Sequence, residues 1–177
     1  MPLPDRRAEI LDRLADHVLA EGLAGASLRP LARAAGTSDR MLLYYFPDKA
    51  ALMAATLSHL AARLQAILAA ATAAPQPLEA ARAEIWAVVQ APAIWPYMRL
   101  WLEIVARAAQ GDAFCAEVGG GIARGYLEWC ETRLAVAEPT ERHAQAAALL
   151  ISIEGMLVLH SVGLGDACAL LPGQPQA

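Results

Sequence analysis

The chain is short of cysteine, of lysine, of long uncharged apolar runs and of strand-like alternation, and each shortage excludes something. Cys115, Cys130 and Cys168 are three in 177 residues. Their odd number and wide spacing fit neither a zinc site nor a disulfide framework, so free thiols in a reducing cytoplasm are expected. No run of about 18 uncharged apolar residues reads as a membrane span. The nearest candidate, Ala144 to Leu164, is interrupted by Glu154 and His160. The opening stretch Met1 to Arg7 is polar and leads into an amphipathic segment, so no secretory signal is expected. No Val/Ile-rich alternating run makes a strand. HExxH, phosphate-loop and GxSxG patterns are absent, and Gly119-Gly120-Gly121 lacks the preceding strand and the spacing of a dinucleotide site. An enzyme, a cofactor and a metal site are therefore not expected.

What is present is apolar and helix-forming. Apolar residues make up 57% of the chain, much of it alanine, which favours helices and lets them pack closely. The expectation is an all-α protein of one or two compact units. The net charge of −4 is unevenly placed: residues 1–60 carry seven Lys/Arg and seven Asp/Glu, and residues 61–177 carry seven against eleven. The N-terminal part is thus neutral, with no broad basic field.

A first helix is expected from about Asp5 to Glu21, its apolar face made by Ile10, Leu11, Leu14, Val18 and Leu19, and ended by Gly22 and Gly25. Ser27 is placed to cap a short second helix, Leu28 to Ala35, with Pro30 in its first turn and Gly36 breaking it. Thr37 and Ser38 precede a third helix, Asp39 to Tyr45, that Phe46-Pro47 stops. Asp48 caps a fourth helix reaching about Ala71, and Thr72 to Pro77 is a linker. Further helices are expected at Leu78 to Gln90, Tyr97 to Gln110, Ala113 to Val136 with the glycine triplet as a weak point, and Glu141 to Leu164. Leu164 to Ala177 looks like a frayed tail.

Two short helices meeting at a steep angle need a small residue at their approach, a turn tolerant of a left-handed backbone, and an apolar anchor on the second helix. Ala32, Gly36 and Leu42 have that order and spacing. Leu28, Leu31, Ala35, Met41 or Leu42, and Tyr45 complete the small core. Such a helix-turn-helix lays its second helix in a major groove.

The stretch Ser27-Leu28-Arg29-Pro30-Leu31-Ala32-Arg33-Ala34-Ala35-Gly36-Thr37-Ser38, followed by Tyr44-Tyr45-Phe46-Pro47-Asp48-Lys49, resembles the head of a tetracycline-repressor (TetR) family regulator, with specific agreement over about residues 5–57. The resemblance implies a three-helix DNA-binding head, residues 1–50, followed by a helical bundle for effector binding and dimerisation, residues 51–177. It implies that Ser27 and Arg29 touch backbone phosphate, that Ser38 caps the recognition helix, and that Thr37, Arg40 and Met41 face base edges. Arg40 is the candidate for a bidentate contact to guanine. Tyr44 and Tyr45 would offer hydroxyls to phosphate, as would Lys49 its ammonium, the single lysine of the chain. Two departures stand out. Leu43 replaces a tyrosine common among relatives, and Asp39 brings a negative charge toward the groove.

In the second half, Trp86, Trp95, Met98, Trp101, Trp129 and His160 are candidates for the wall of an apolar effector pocket, with Glu154, Glu103 or Arg99 as polar anchors. Glu154 is costly on so apolar a helix unless paired or partly wet. Dimerisation is expected through the last two long helices, Ile122 to Val136 and Glu141 to Leu164, because a helix apolar nearly all round must be covered on more than one side. The function expected is a cytoplasmic homodimeric repressor on a near-palindromic double-stranded DNA operator, released by a small apolar effector, with no membrane partner. The competing reading is a helical scaffold whose head does not bind DNA.

Overall fold

A computed structural model describes residues 6–72 and 75–171. Asp5, expected to open the first helix, lies outside the described residues, as do residues 73–74 of the expected linker and 172–177 of the expected tail. The described residues are helical almost throughout: α1 Arg6–Glu21, α2 Leu28–Ala34, α3 Asp39–Tyr45, α4 Lys49–Ala71, α5 Leu78–Val89, α6 Trp95–Ala109, α7 Ala113–Glu131, α8 Pro139–Ser161 and α9 Gly165–Cys168. The chain divides into two compact units. One gathers Met1–Arg63 with Arg99–Gly120, the other Leu64–Met98 with Gly121–Ala177.

In the first unit, α1 buries Ile10, Leu11, Leu14, Ala15 and Val18. These positions recur every three to four residues and so make one stripe of the helix. Leu31 and Ala32 of α2, Leu42 of α3, Phe46, and Leu52, Met53 and Leu57 of α4 are buried in the same unit. Leu42, fully buried, is the anchor, whereas Met41 is exposed.

The turn between α2 and α3 depends on Gly36, whose φ is +64°. The Thr37 N–H donates to the Ala32 carbonyl at 2.9 Å and the Gly36 N–H to the Arg33 carbonyl at 3.1 Å. This pair of bonds is a Schellman motif, which satisfies carbonyls that α2 would otherwise leave open. Arg13 of α1 adds a bond from its guanidinium to the Ala35 carbonyl at 3.3 Å. Later in the unit Gly119, inside α7, is buried, and a Cβ there would lie 3.2 Å from Ile104 Cγ2. The glycine triplet is therefore helical rather than a weak point, and its first member gives α6 room.

In the second unit α5 buries Ala81, Ile85, Trp86 and Val89, and α8 buries Ala146, Leu149, Ile153, Met156 and Leu157. The two helices pack on each other, and α9 packs on α8. Arg82, buried on α5, pairs with Glu79. The three cysteines are free and buried. Burial, and then the charge of Glu154, pushes the Cys130 thiol up to about 12, so it stays protonated and inert as a nucleophile.

Four local expectations are corrected. Ser27 stands in the extended conformation of an N-cap, but its side chain makes no capping bond. Pro96 lies in the first turn of α6 rather than before it, where its missing N–H costs nothing. Helix α7 ends at Glu131, short of Val136, because residues 133–135 turn to form an isolated parallel bridge, with the Gln76 N–H donating to the Arg133 carbonyl at 3.0 Å. The stretch after Leu164 is not all tail: Gly165–Cys168 is helical, and the Cys168 thiol is buried and donates to the Met156 carbonyl at 3.6 Å.

By length and composition alone α4 and α8 are each apolar enough to cross a membrane. A core helix passes the same test, and α4 buries Leu52, Met53, Thr56, Leu57 and Leu60 within its own unit. Replacing Leu42 by Ala is expected to lower the stability of the chain by about 2–5 kcal/mol, the usual cost of emptying a closed leucine site, as read by urea denaturation; a loss under about 1 kcal/mol would show that Leu42 is not the anchor.

Candidate nucleic-acid interface

Helix α3 is short, and three backbone devices define it. The Ser38 hydroxyl accepts the Met41 N–H at 3.3 Å at its start. Phe46, with φ −133° and ψ 128°, leaves helical geometry at its end, as the residue before proline must. The Asp48 carboxylate accepts the Ala51 N–H at 2.7 Å and starts α4. Asp39 lies in the first turn of α3, where the positive end of the helix dipole favours a carboxylate. Its place at the helix end accounts for the acid without a contact to any polyanion.

With Leu42 turned inward, the rest of α3 faces out. Arg40, Met41, Leu43 and Tyr44 are exposed, Tyr44 by 78%. Tyr45 is half-buried and meets Tyr44 edge to face, with ring centroids 5.4 Å apart. Ser27, Arg29, Ser38 and Lys49 are exposed, and Thr37 is half-buried. All nine predicted contact residues thus lie on one short segment of the first unit, and none is a core residue. Arg33 adds an exposed cation in the last turn of α2.

The local charge is arranged by pairing. Asp12 and Asp16 of α1 are engaged by α4, through His59 at 2.7 Å and Arg63 at 2.9 Å. Arg7 places its guanidinium 4.9 Å from the centre of the Phe46 ring, a cation–π contact that ties the start of α1 to the end of α3. Neither Arg7 nor Arg13 was singled out in the sequence, because their partners stand 39 and 22 positions away and no local pattern announces them.

The effector candidates are placed less uniformly. In the second unit, His160 stands between Trp86 and Trp95, ring centroids 5.7 Å and 5.2 Å away and both edge to face. Met98 is buried. Trp129 is buried, pairs edge to face with Tyr126 at 6.5 Å, and leaves its indole N–H without a partner. Glu154 is half-buried, as its cost on an apolar helix requires, and its charge reaches Tyr126 and Cys130. Burial, then the neighbouring Tyr97, Glu154 and Cys130, raises the Tyr126 hydroxyl well above its ordinary range. Trp101 belongs to the first unit. So do Arg99 and Glu103, whose bonds run to the end of α1.

Residues 10–56 match the family model described as bacterial regulatory proteins, tetR family. The HTH-type transcriptional regulator BetI of Burkholderia thailandensis is 28% identical over 156 residues, covering 85% of this chain and 79% of that protein. BetI of Pseudomonas aeruginosa is 28% identical over 169 residues, 93% of this chain and 85% of its own. Over residues 10–56 the chain is similar to the TetR family. A transcriptional regulator from Rhodococcus sp. Rha1 has the same fold, with a TM-score of 0.66 at 23% identity over 94% of this chain and 87% of that one. The chain is thus similar to helix-turn-helix regulators of transcription.

Capping separates two serines that look alike in sequence. Ser38→Ala is expected to cost about 1 kcal/mol in urea denaturation, the usual worth of an N-cap hydroxyl. Ser27→Ala, which removes no capping bond, is expected to cost under about 0.5 kcal/mol, as exposed substitutions do. Equal losses would contradict the cap assignment.

Proposed function

We propose that the chain is a homodimeric repressor that reads a near-palindromic operator with α3 and is released by a small apolar effector. The reading is carried by the outward face of α3, which offers Arg40, Met41 and Tyr44 while Leu42 is fully buried. In this reading Thr37, Arg40 and Met41 meet base edges, with Arg40 bidentate to guanine. Ser27, Arg29, Tyr44, Tyr45 and Lys49 meet phosphates, and Ser38 holds the helix start against the backbone. Leu43, 43% exposed, adds packing where a hydroxyl would add a phosphate bond. DNA reading belongs to residues 1–50, and effector binding and dimerisation to residues 51–177.

The dimer reading is supported by α8. Opposite its buried stripe it exposes Ile151, Val158 and Leu159, and Val162 and Leu164 continue the row. Exposed apolar side chains gathered on one face of a helix and just past its end are a protein contact more often than a wet surface. A second copy of α8, with α7 beside it, covers it and brings two heads to half-sites about 34–36 Å apart. Pairing of heads also answers the neutral charge of residues 1–60, since a single head gathers few phosphate contacts. Effector binding is assigned to the second unit, with Trp86, Trp95, Met98, Trp129, Glu154 and His160 as its residues. An effector releases the operator only if it binds the released form better.

Selection of bound duplexes from a random pool is expected to enrich a near-palindrome. Arg40→Ala is expected to lose about 1–3 kcal/mol of discrimination at one base pair per half-site. Lys49→Ala is expected to weaken binding to every sequence and to shrink the salt slope by about one phosphate per head. An unenriched pool, or binding indifferent to salt, would favour the scaffold reading.

Light scattering is expected to give twice the chain mass at micromolar concentration. Ile151→Glu with Val158→Glu is expected to give a folded monomer that loses the enriched operator. A monomeric wild-type chain would remove the dimer.

A further inference from the structure

Helix α1 ends on a left-handed glycine, with the Gly22 N–H donating to the Val18 carbonyl at 2.9 Å, but without a cation at its terminus. Its last turn holds no basic residue, and it closes on Glu21, an acid at the negative end of the helix dipole. The missing cation comes from α6, 80 positions along the chain. The Arg99 guanidinium donates to the carbonyls of Leu19 at 3.0 Å and Ala20 at 3.2 Å, two of the acceptors that a helix C-terminus leaves open.

One turn along α6, the Glu103 carboxylate accepts the Leu23 N–H at 2.9 Å. Arg107 steadies its other oxygen at 2.7 Å. Gly22 lies between these two anchorages with φ +69°, and a Cβ there would stand 2.8 Å from Glu103 Oε2. The turn therefore needs glycine twice, for its backbone and for the approach of the carboxylate. Leu19, Gly22, Leu100 and Glu103 also line a cleft of about 320 Å³. At this end of α1, three hydrogen bonds with two α6 side chains join it to α6.

We propose that Arg99 and Glu103 are positioning residues for DNA binding: together they clamp the C-terminal end of α1, and through α1 the head, to α6. Neither side chain touches DNA. Each sets the orientation of α1, whose Ile10-to-Val18 stripe is part of the core behind α3.

The test uses the full-length chain with Arg99→Ala, Glu103→Ala and Glu103→Gln. Only its affinity arm rests on the operator reading above. Amide exchange across residues 19–23 is expected to quicken about tenfold in the two alanine variants, as local opening becomes easier. Their affinity for the enriched operator is expected to fall about tenfold, against under twofold for a random-sequence duplex at the same salt, with the salt slope unchanged. Glu103→Gln, whose amide oxygen still accepts the Leu23 N–H, is expected to recover most of both losses. Unchanged exchange, equal loss on both duplexes, a smaller salt slope with Arg99→Ala, or no recovery with Glu103→Gln would each overturn the clamp. Should Arg99→Ala fail to fold, the two Glu103 variants decide the matter alone. Should no operator be enriched, the repressor reading fails while the exchange measurement still decides the clamp.

Discussion

The left-handed turn at Gly36 is the constraint on which the DNA-reading head depends. With φ at +64°, the chain closes α2 through the Thr37 and Gly36 N–H groups and leaves at once into α3. A residue with a Cβ would be strained in that backbone and would also press on Arg13 Nη1, 2.7 Å from the Cβ position. The turn angle decides which side of α3 faces the core. Because Leu42 takes that side, Arg40, Met41, Leu43 and Tyr44 have no place but outside. The proposed reading face of α3 therefore begins with a backbone dihedral angle, and its side chains are those the turn leaves free.

Much of this was legible because it is local. Gly36, Ser38, Pro47 and Asp48 act within four residues of themselves, and each did what its chemistry and position predict. The anchor Leu42 is legible from its spacing to Gly36, whereas the exposure of Met41 required the structure, since the helical period there spans only seven residues. Elsewhere the misreadings have one source. Ser27 looks like Ser38 in sequence, but whether a hydroxyl finds an N–H depends on a rotamer, not on spacing. Helix α7 stops at Glu131 because residues 133–135 are used by Gln76, more than fifty positions earlier. The turn at Gly165–Cys168 was hidden because four residues carry no periodicity, and the burial of Cys168 comes from packing on α8. The polar ties of Arg7, Arg13, Arg99 and Glu103 are likewise long-range and leave no local mark.

The charge pattern follows the same division between local and distant effects. A head with equal numbers of acids and bases has little attraction to a polyanion at a distance. Asp12 and Asp16 are held by His59 and Arg63 of α4, and Asp39 and Asp48 serve helix starts. Four of the seven acids before residue 61 thus have structural duties, while Arg29, Arg33, Arg40 and Lys49 are exposed. Surface ion pairs of this kind add little stability, about 0–1 kcal/mol each. Their effect is on the field, because an acid engaged by α4 opposes a nearby phosphate less than a free one.

A head of so few cations binds well only if they arrive together in the right register, which makes orientation the limiting quantity. Two features of the chain bear on orientation. The exposed row of α8 sets the distance between heads if a second copy covers it, and the Arg99–Glu103 clamp sets the angle of each head on its own α6. In the proposed dimer the first is apolar and spread over several side chains, so small changes leave it closed. The second consists of a few bonds across a cleft, at exposed or half-buried side chains, where a hydrogen bond contributes about 0.5–1.5 kcal/mol. A linkage that weak can be strained or released by a modest shift of α6 without unfolding anything. In the proposed function, a regulator that must bind and let go needs one join that is hard to break and one that is easy, and the chemistry of these two matches those roles.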